Sequence, residues 1–207
     1  WNAICRDDNV VLRRVDGTGE EFVLTTDGHR KQRYGRASWV YGEELDQNTA
    51  MWWSPDSRYL AFYAFDERAV PDYYLLDGLT EQRTTPMIEG YPKPGDPNPV
   101  AGLRVHDLED GETIIVDVGP ETEQYVYDVR FAPDSATLLF NRTTRLQNRL
   151  ELVGTDPATG TSRVVHVEEQ PTWQDNHPEM RFLKDGRRFI WATERSGWKQ
   201  YELRDLD

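Results

Sequence analysis

Glu43 and Glu44 stand side by side after an aromatic and aliphatic run, Trp39-Val40-Tyr41-Gly42. Neighbouring carboxylates can accept charge-assisted hydrogen bonds from one ammonium, worth about 1.5–3 kcal/mol each. With no cation between them, two carboxylates repel and one pKa rises. Backbone conformation decides whether they can share a ligand. Successive side chains of a strand leave on opposite faces, whereas on a helical turn they lie about 100° apart and can converge. The segment 39–45 is therefore expected to leave the strand conformation, with Glu43 and Glu44 as candidate ligands for an amine. Adjacent glutamates are also common on solvated surfaces, and the pair alone does not separate the two readings.

The elements that must position this pair come from an internal repeat. Trp53-Ser54-Pro55-Asp56-Ser57, Phe131-Ala132-Pro133-Asp134-Ser135 and Phe182-Leu183-Lys184-Asp185-Gly186 each place an aromatic three residues before the Asp. Apolar residues follow four and six positions after it, as in Leu60 and Phe62, Leu138 and Phe140, Phe189 and Trp191. An aromatic strand end, a Pro-Asp-Ser or Asp-Gly turn and a short apolar strand make a hairpin. A second module follows each hairpin: Leu103 to Asp107 leading to Gly111, Leu150 to Val153 leading to Asp156 and Gly160, and Tyr201 to Asp205. Val10 to Gly17 with Phe22-Val23-Leu24 reads as the back half of an earlier copy. Four short strands recurring at about 40–50 residues predict an all-β fold, a partial β-propeller of four-stranded antiparallel blades.

The spacing locates an irregularity. From turn Asp to strand-end Asp, Asp134 to Asp156 is 22 residues and Asp185 to Asp205 is 20, but Asp56 to Asp107 is 51. The second copy thus carries an insertion of about 30 residues between Asp66 and Pro99. It includes Tyr91 to Pro99, too rich in proline for an inner strand. The expected division is a partial blade over about 1–33, the Glu-pair segment 34–48, a blade with the insertion over about 49–118, a blade over about 119–168 and a partial blade over about 169–207. Two complete and two partial blades predict a longer protein, since an open set would expose sheet edges.

Composition narrows the partners. The 207 residues hold 24 Lys+Arg against 37 Asp+Glu, for a net charge of -13. Nucleic acid and anionic membrane surfaces are therefore excluded as expected partners, and an amine-bearing ligand fits better. Seven Trp, ten Tyr and seven Phe argue for a packed core. Cys5 is the only cysteine, so no intrachain disulfide forms. No apolar run reaches the ~18–20 residues of a membrane span. The chain begins at Trp1 with no initiator Met, and is expected to be a piece of a longer protein.

Trp39 to Leu45, then Met51-Trp52-Trp53-Ser54-Pro55-Asp56, Leu60-Ala61-Phe62 and the Tyr91 to Pro99 run resemble the N-terminal propeller of dipeptidyl peptidase IV and its bacterial relatives. Leu146-Gln147-Asn148 and the Phe182 to Gly186 hairpin follow in the same order, so the resemblance covers the whole chain. It implies that Glu43 and Glu44 cap the free α-amino group of a peptide substrate. It implies further that a C-terminal α/β-hydrolase domain of the same full-length protein, outside this chain, cuts after a penultimate Pro or Ala, or one residue later in a tripeptidyl variant. Homodimerisation and export to the periplasm or beyond are implied on the same footing.

Two departures stand out: many relatives carry a third Glu at the position of Gly42, and the loop Trp173 to His177 is shorter than in mammalian relatives. The family's other substrate-binding arginine would fall upstream of Trp1. Catalytic residues are not expected in this chain, since no Gly-x-Ser-x-Gly elbow occurs. His29, His106, His166 and His177 lack ligand spacing, so neither a metal nor another cofactor is expected. Asn141-Arg142-Thr143 matches a glycosylation sequon but reads as structural, Trp52-Trp53 as blade core, and Tyr91 either as a cavity wall or as packing. The alternative function is a non-catalytic propeller serving as a protein-interaction scaffold.

Overall fold

The computed structural model describes residues 1–207. In chain order the first elements are β1 (Asn2–Arg6), β2 (Asn9–Arg13), β3 (Glu21–Val23), β4 (Gln32–Tyr34) and α1 (Trp39–Leu45). There follow β5 (Met51–Trp53), β6 (Tyr59–Asp66), β7 (Asp72–Asp77), β8 (Thr85–Gly90), β9 (Val100–Asp107) and β10 (Thr113–Ile115). The last are β11 (Gln124–Phe131), β12 (Leu138–Thr144), β13 (Arg149–Thr155), β14 (Ser162–Glu169), β15 (Met180–Phe182), β16 (Arg188–Thr193) and β17 (Gln200–Asp205). The strand pairings are antiparallel throughout. Two compact units are distinguished, one of residues 1–50 and 64–100, the other of residues 51–63 and 101–207.

In the second unit all three repeat turns form, and they share one hydrogen-bond pattern. Ser57, Ser135 and Gly186 hold the left-handed position, with φ of 65°, 65° and 71°. Asp56, Asp134 and Asp185 each accept the backbone N–H two residues on, at 3.1, 3.0 and 3.1 Å. The turn Asp thus closes its own loop, as Asx turns do. The downstream module repeats as well: Arg58 holds Asp107 through its guanidinium fork, and Arg187 holds Asp205 at 2.7 Å.

β11 to β14 make a four-stranded sheet in sequence order, and β15 to β17 a three-stranded one. Leu138, Leu139 and Phe140, three consecutive residues of β12, are all 0% exposed. Side chains alternate between faces, so such a run means that both faces of the strand are covered. Tyr59 to Tyr63 in β6 is buried in the same way. Trp52 and Trp53 are only half-buried, with Trp52 set edge-on against Tyr63 at 5.0 Å. Asn141 is buried within β12 and donates to Asp128 at 3.1 Å, a structural position that no glycan could reach.

In the first unit, β1, β2 and β3 form a meander, and β4 pairs with Ala64 to Asp66 of β6. The long insertion folds as its own hairpin, β7 with β8, followed by the irregular run Tyr91 to Pro99. That run stays out of any sheet, as its prolines require, and β9 begins only at Val100.

Candidate functional site

Residues 39–45 form about two helical turns, α1, so the segment leaves the strand conformation as expected. Its apolar side is fixed by burial: Tyr41 and Leu45, four residues apart and so on one face, are 0% and 1% exposed. Tyr41 meets Phe65 of β6 edge-on at 4.7 Å. The helix stops at Asp46, whose left-handed conformation (φ 51°) ends the run. With Tyr41 and Leu45 held inward, Glu43 and Glu44 stand on the exposed side of the helix.

The first residue of the helix is pinned separately. The Trp39 ring lies 4.2 Å from that of Tyr91, and Tyr91 lies 5.2 Å from Tyr73 of β7. Tyr91 is thus the packing partner that orients α1, and it binds the insertion to the Glu-pair segment. The base of the hairpin is tied down by Asp72, which receives both Arg30 (2.7 and 2.8 Å) and Lys31 (2.5 Å). These cations, Arg30 first, hold the Asp72 carboxyl down at about 2.

Beneath α1 lies a buried charge cluster that the sequence reading did not anticipate. Arg33 on β4 pairs with Glu89 of β8 at 2.8 Å and with Glu67 at 3.4 Å, and donates to the Arg30 carbonyl at 3.0 Å. Glu67 is 0% exposed, and burial pushes its carboxyl up against the opposing pull of Arg33. Ser38 occupies the N-cap of α1 but makes no capping hydrogen bond, and its buried hydroxyl has no hydrogen-bond partner. Gly90 makes room for this carboxylate: a Cβ there would stand 2.7 Å from Glu67 Oε2.

Between the helix and this cluster opens a cavity of about 500 Å³. Glu43 lines it, with Arg33, Arg36, Ser38, Gly42 and Asn48 among its other walls. Glu44, next on the helix, is not among them. The arrangement sets two carboxylates, Glu43 and Glu89, and two guanidiniums, Arg33 and Arg36, around one open space. Arg33 is already paired with Glu89, which leaves the Glu43 carboxylate as the acceptor for an ammonium. The strand and loop residues Arg33, Arg36, Glu67 and Glu89 carry no spacing signal in the sequence. Gly35, left-handed at φ 64°, is the one local mark of the turn that brings Arg36 there.

The sheets and their covered inner strands define a propeller-type, all-β protein. A family model described as the dipeptidyl peptidase IV N-terminal region matches residues 1–207, and the chain belongs to that family. It is 31% identical over 197 residues to a probable dipeptidyl-aminopeptidase B of Neosartorya fischeri, and 32% identical over 197 residues to that of Aspergillus terreus. Each match covers 86% of this chain and 21% of the relative, so the chain spans about a fifth of the relatives' length. Among solved structures, dipeptidyl peptidase 4 of Porphyromonas gingivalis superposes with a TM-score of 0.85 at 25% identity, covering 98% of this chain and 29% of that one. A putative dipeptidyl aminopeptidase IV from Bacteroides ovatus shares the fold, with a TM-score of 0.78 at 24% identity over 100% of this chain and 29% of the other.

Proposed function

We propose that the chain is the substrate-binding propeller portion of a dipeptidyl-peptidase-IV-like serine exopeptidase. Glu43 and Glu44 bind the free N-terminal amine of a peptide, and a C-terminal α/β-hydrolase domain of the full-length protein carries out the cleavage. The observation that supports this reading most is α1 itself. A short helix anchored by Tyr41 and Leu45 presents adjacent carboxylates on its outer side, with Glu43 opening into a cavity. An ammonium seated there gains charge-assisted hydrogen bonds, and a blocked amine gains none. Selective binding of the free amine turns a peptidase into an exopeptidase.

The test is the full-length protein with Glu43→Gln and Glu44→Gln, assayed on free-amine and N-acetylated dipeptidyl substrates. Each substitution is expected to lower kcat/KM on the free-amine substrate about fivefold or more, with no loss on the acetylated one. Unchanged activity on the free-amine substrate would remove both residues from the site.

Homodimerisation belongs to the same proposal, and the β7–β8 hairpin supports it. Tyr74, Leu76 and Leu79 are 70%, 61% and 76% exposed, a concentration of apolar surface unusual for a two-stranded sheet in water. Leu76→Glu is expected to shift the full-length protein to monomer in sedimentation. Export from the cytoplasm is proposed on the family resemblance.

A further inference from the structure

The cavity beside α1 contains a cation with no close partner. Arg36 follows the left-handed Gly35 and lines the same space as Glu43. Its side chain is 57% exposed, and the carboxylate nearest to it, Asp8, lies at 3.9 Å, the outer limit of an ion pair. Arg33 differs, since Glu67 and Glu89 already match its charge. Gly42 borders the cavity without a side chain.

We propose that Arg36 is a specificity-determining residue that favours an acidic side chain on the first residue of the bound peptide. The inference rests on the amine-binding reading of Glu43 and Glu44. With the α-ammonium at Glu43, the side chain of that same residue is the part of the ligand next in reach of the cavity. A guanidinium fork matches a carboxylate in geometry as well as in charge. Glu43 and Arg36 together complement a residue bearing both an ammonium and a carboxylate, that is, an N-terminal Asp or Glu. A glutamate at position 42 would supply that carboxylate from the chain itself and close the subsite.

The experiment measures kcat/KM of the full-length protein on Asp-Pro and Asn-Pro chromogenic amides, substrates of nearly equal shape that differ in charge. The wild type is expected to prefer Asp-Pro by about threefold, the size of a partly exposed ion pair. Arg36→Gln is expected to bring the ratio to about one, Gly42→Glu to reverse it, and Arg36→Lys to keep part of it. Glu43→Gln should depress both substrates and leave the ratio standing. A ratio that Arg36→Gln does not change overturns the Arg36 subsite and leaves the amine clamp intact. A normal rate on both substrates in Glu43→Gln overturns the clamp, and failure of the wild type to cleave either overturns both.

Discussion

Arg33 and Glu67 form an ion pair at 3.4 Å whose side chains are 3% and 0% exposed. Removing one member of a buried pair strands the other, at about 3–5 kcal/mol. Arg33→Ala leaves two carboxylates, Glu67 and Glu89, without their cation, and is expected to fall in that range by chemical denaturation. Arg33→Lys keeps the charge but not the fork that reaches both partners, and should recover only part of the loss.

Glu67→Gln should behave differently, because the carboxyl is pushed up by burial. A group with a raised folded-state pKa favours the fold while it is protonated, and that contribution is lost as pH rises through the folded pKa. The wild type is therefore expected to lose stability relative to Glu67→Gln between the ordinary carboxyl range and neutral pH. A stability difference independent of pH across that window would contradict the assignment.

Two glycines of the site make opposite predictions. A Cβ at Gly90 would stand 2.7 Å from the carboxylate of Glu67, which is held by its own ion pair and cannot easily yield. Gly90→Ala is expected to cost about 1–3 kcal/mol. At Gly42 a Cβ would meet Asn48 Oδ1 at 2.9 Å, the far end of a mobile side chain, and the backbone is already helical. Gly42→Ala should be neutral or stabilising by up to about 1 kcal/mol, the propensity gain of alanine in a helix. Thermal unfolding of the two variants decides the matter.

Local chemistry at fixed offsets was legible in the sequence, and contacts between distant strands were not. The three Asp turns could be read because each one closes its own loop with backbone hydrogen bonds two residues away. That the segment 39–45 leaves the strand conformation was read from the adjacent glutamates, and α1 shows it; Glu43 lines the cavity and Glu44 does not. By contrast, Arg33 and Glu89 are 56 residues apart, and nothing in either neighbourhood marks their pairing. The insertion was recognised by its length alone. Its hairpin has one strand, β8, containing Pro86, a residue that argues against a central strand and fits an exposed two-stranded ribbon.

Trp39 is held by Tyr91 across 4.2 Å, and Tyr91 in turn by Tyr73. Aromatic contacts of this kind contribute about 0.5–1.5 kcal/mol beyond the area they bury. Tyr91→Ala is expected to destabilise the fold by that amount or more and to loosen the start of α1. Since the helix aims Glu43, kcat/KM on free-amine substrates should fall, while the Asp-Pro to Asn-Pro ratio, set by Arg36 outside the helix, should stand. Tyr91→Phe keeps the ring and should restore both stability and kcat/KM.

A second buried charge site, in the other unit, contributes stability that is lost in acid. Glu168 is 0% exposed and accepts from Thr193 at 2.9 Å, Trp191 at 3.2 Å and Arg195 at 3.2 Å, with His166 at 2.6 Å. Burial pushes its carboxyl up, but His166, Thr193 and Arg195 together outweigh that and hold it below the usual range. A depressed carboxyl contributes stability above its unfolded pKa, and that contribution is lost as pH falls through the folded one. Glu168→Ala leaves the indole and hydroxyl donors and the Arg195 charge without their acceptor, at a cost of about 3–5 kcal/mol near neutral pH. Below the carboxyl range the wild type has lost the same charge, so the two proteins should converge in unfolding midpoint as the pH is lowered. Parallel curves down to pH values well below that range would show that Glu168 is held by shape and not by its charge.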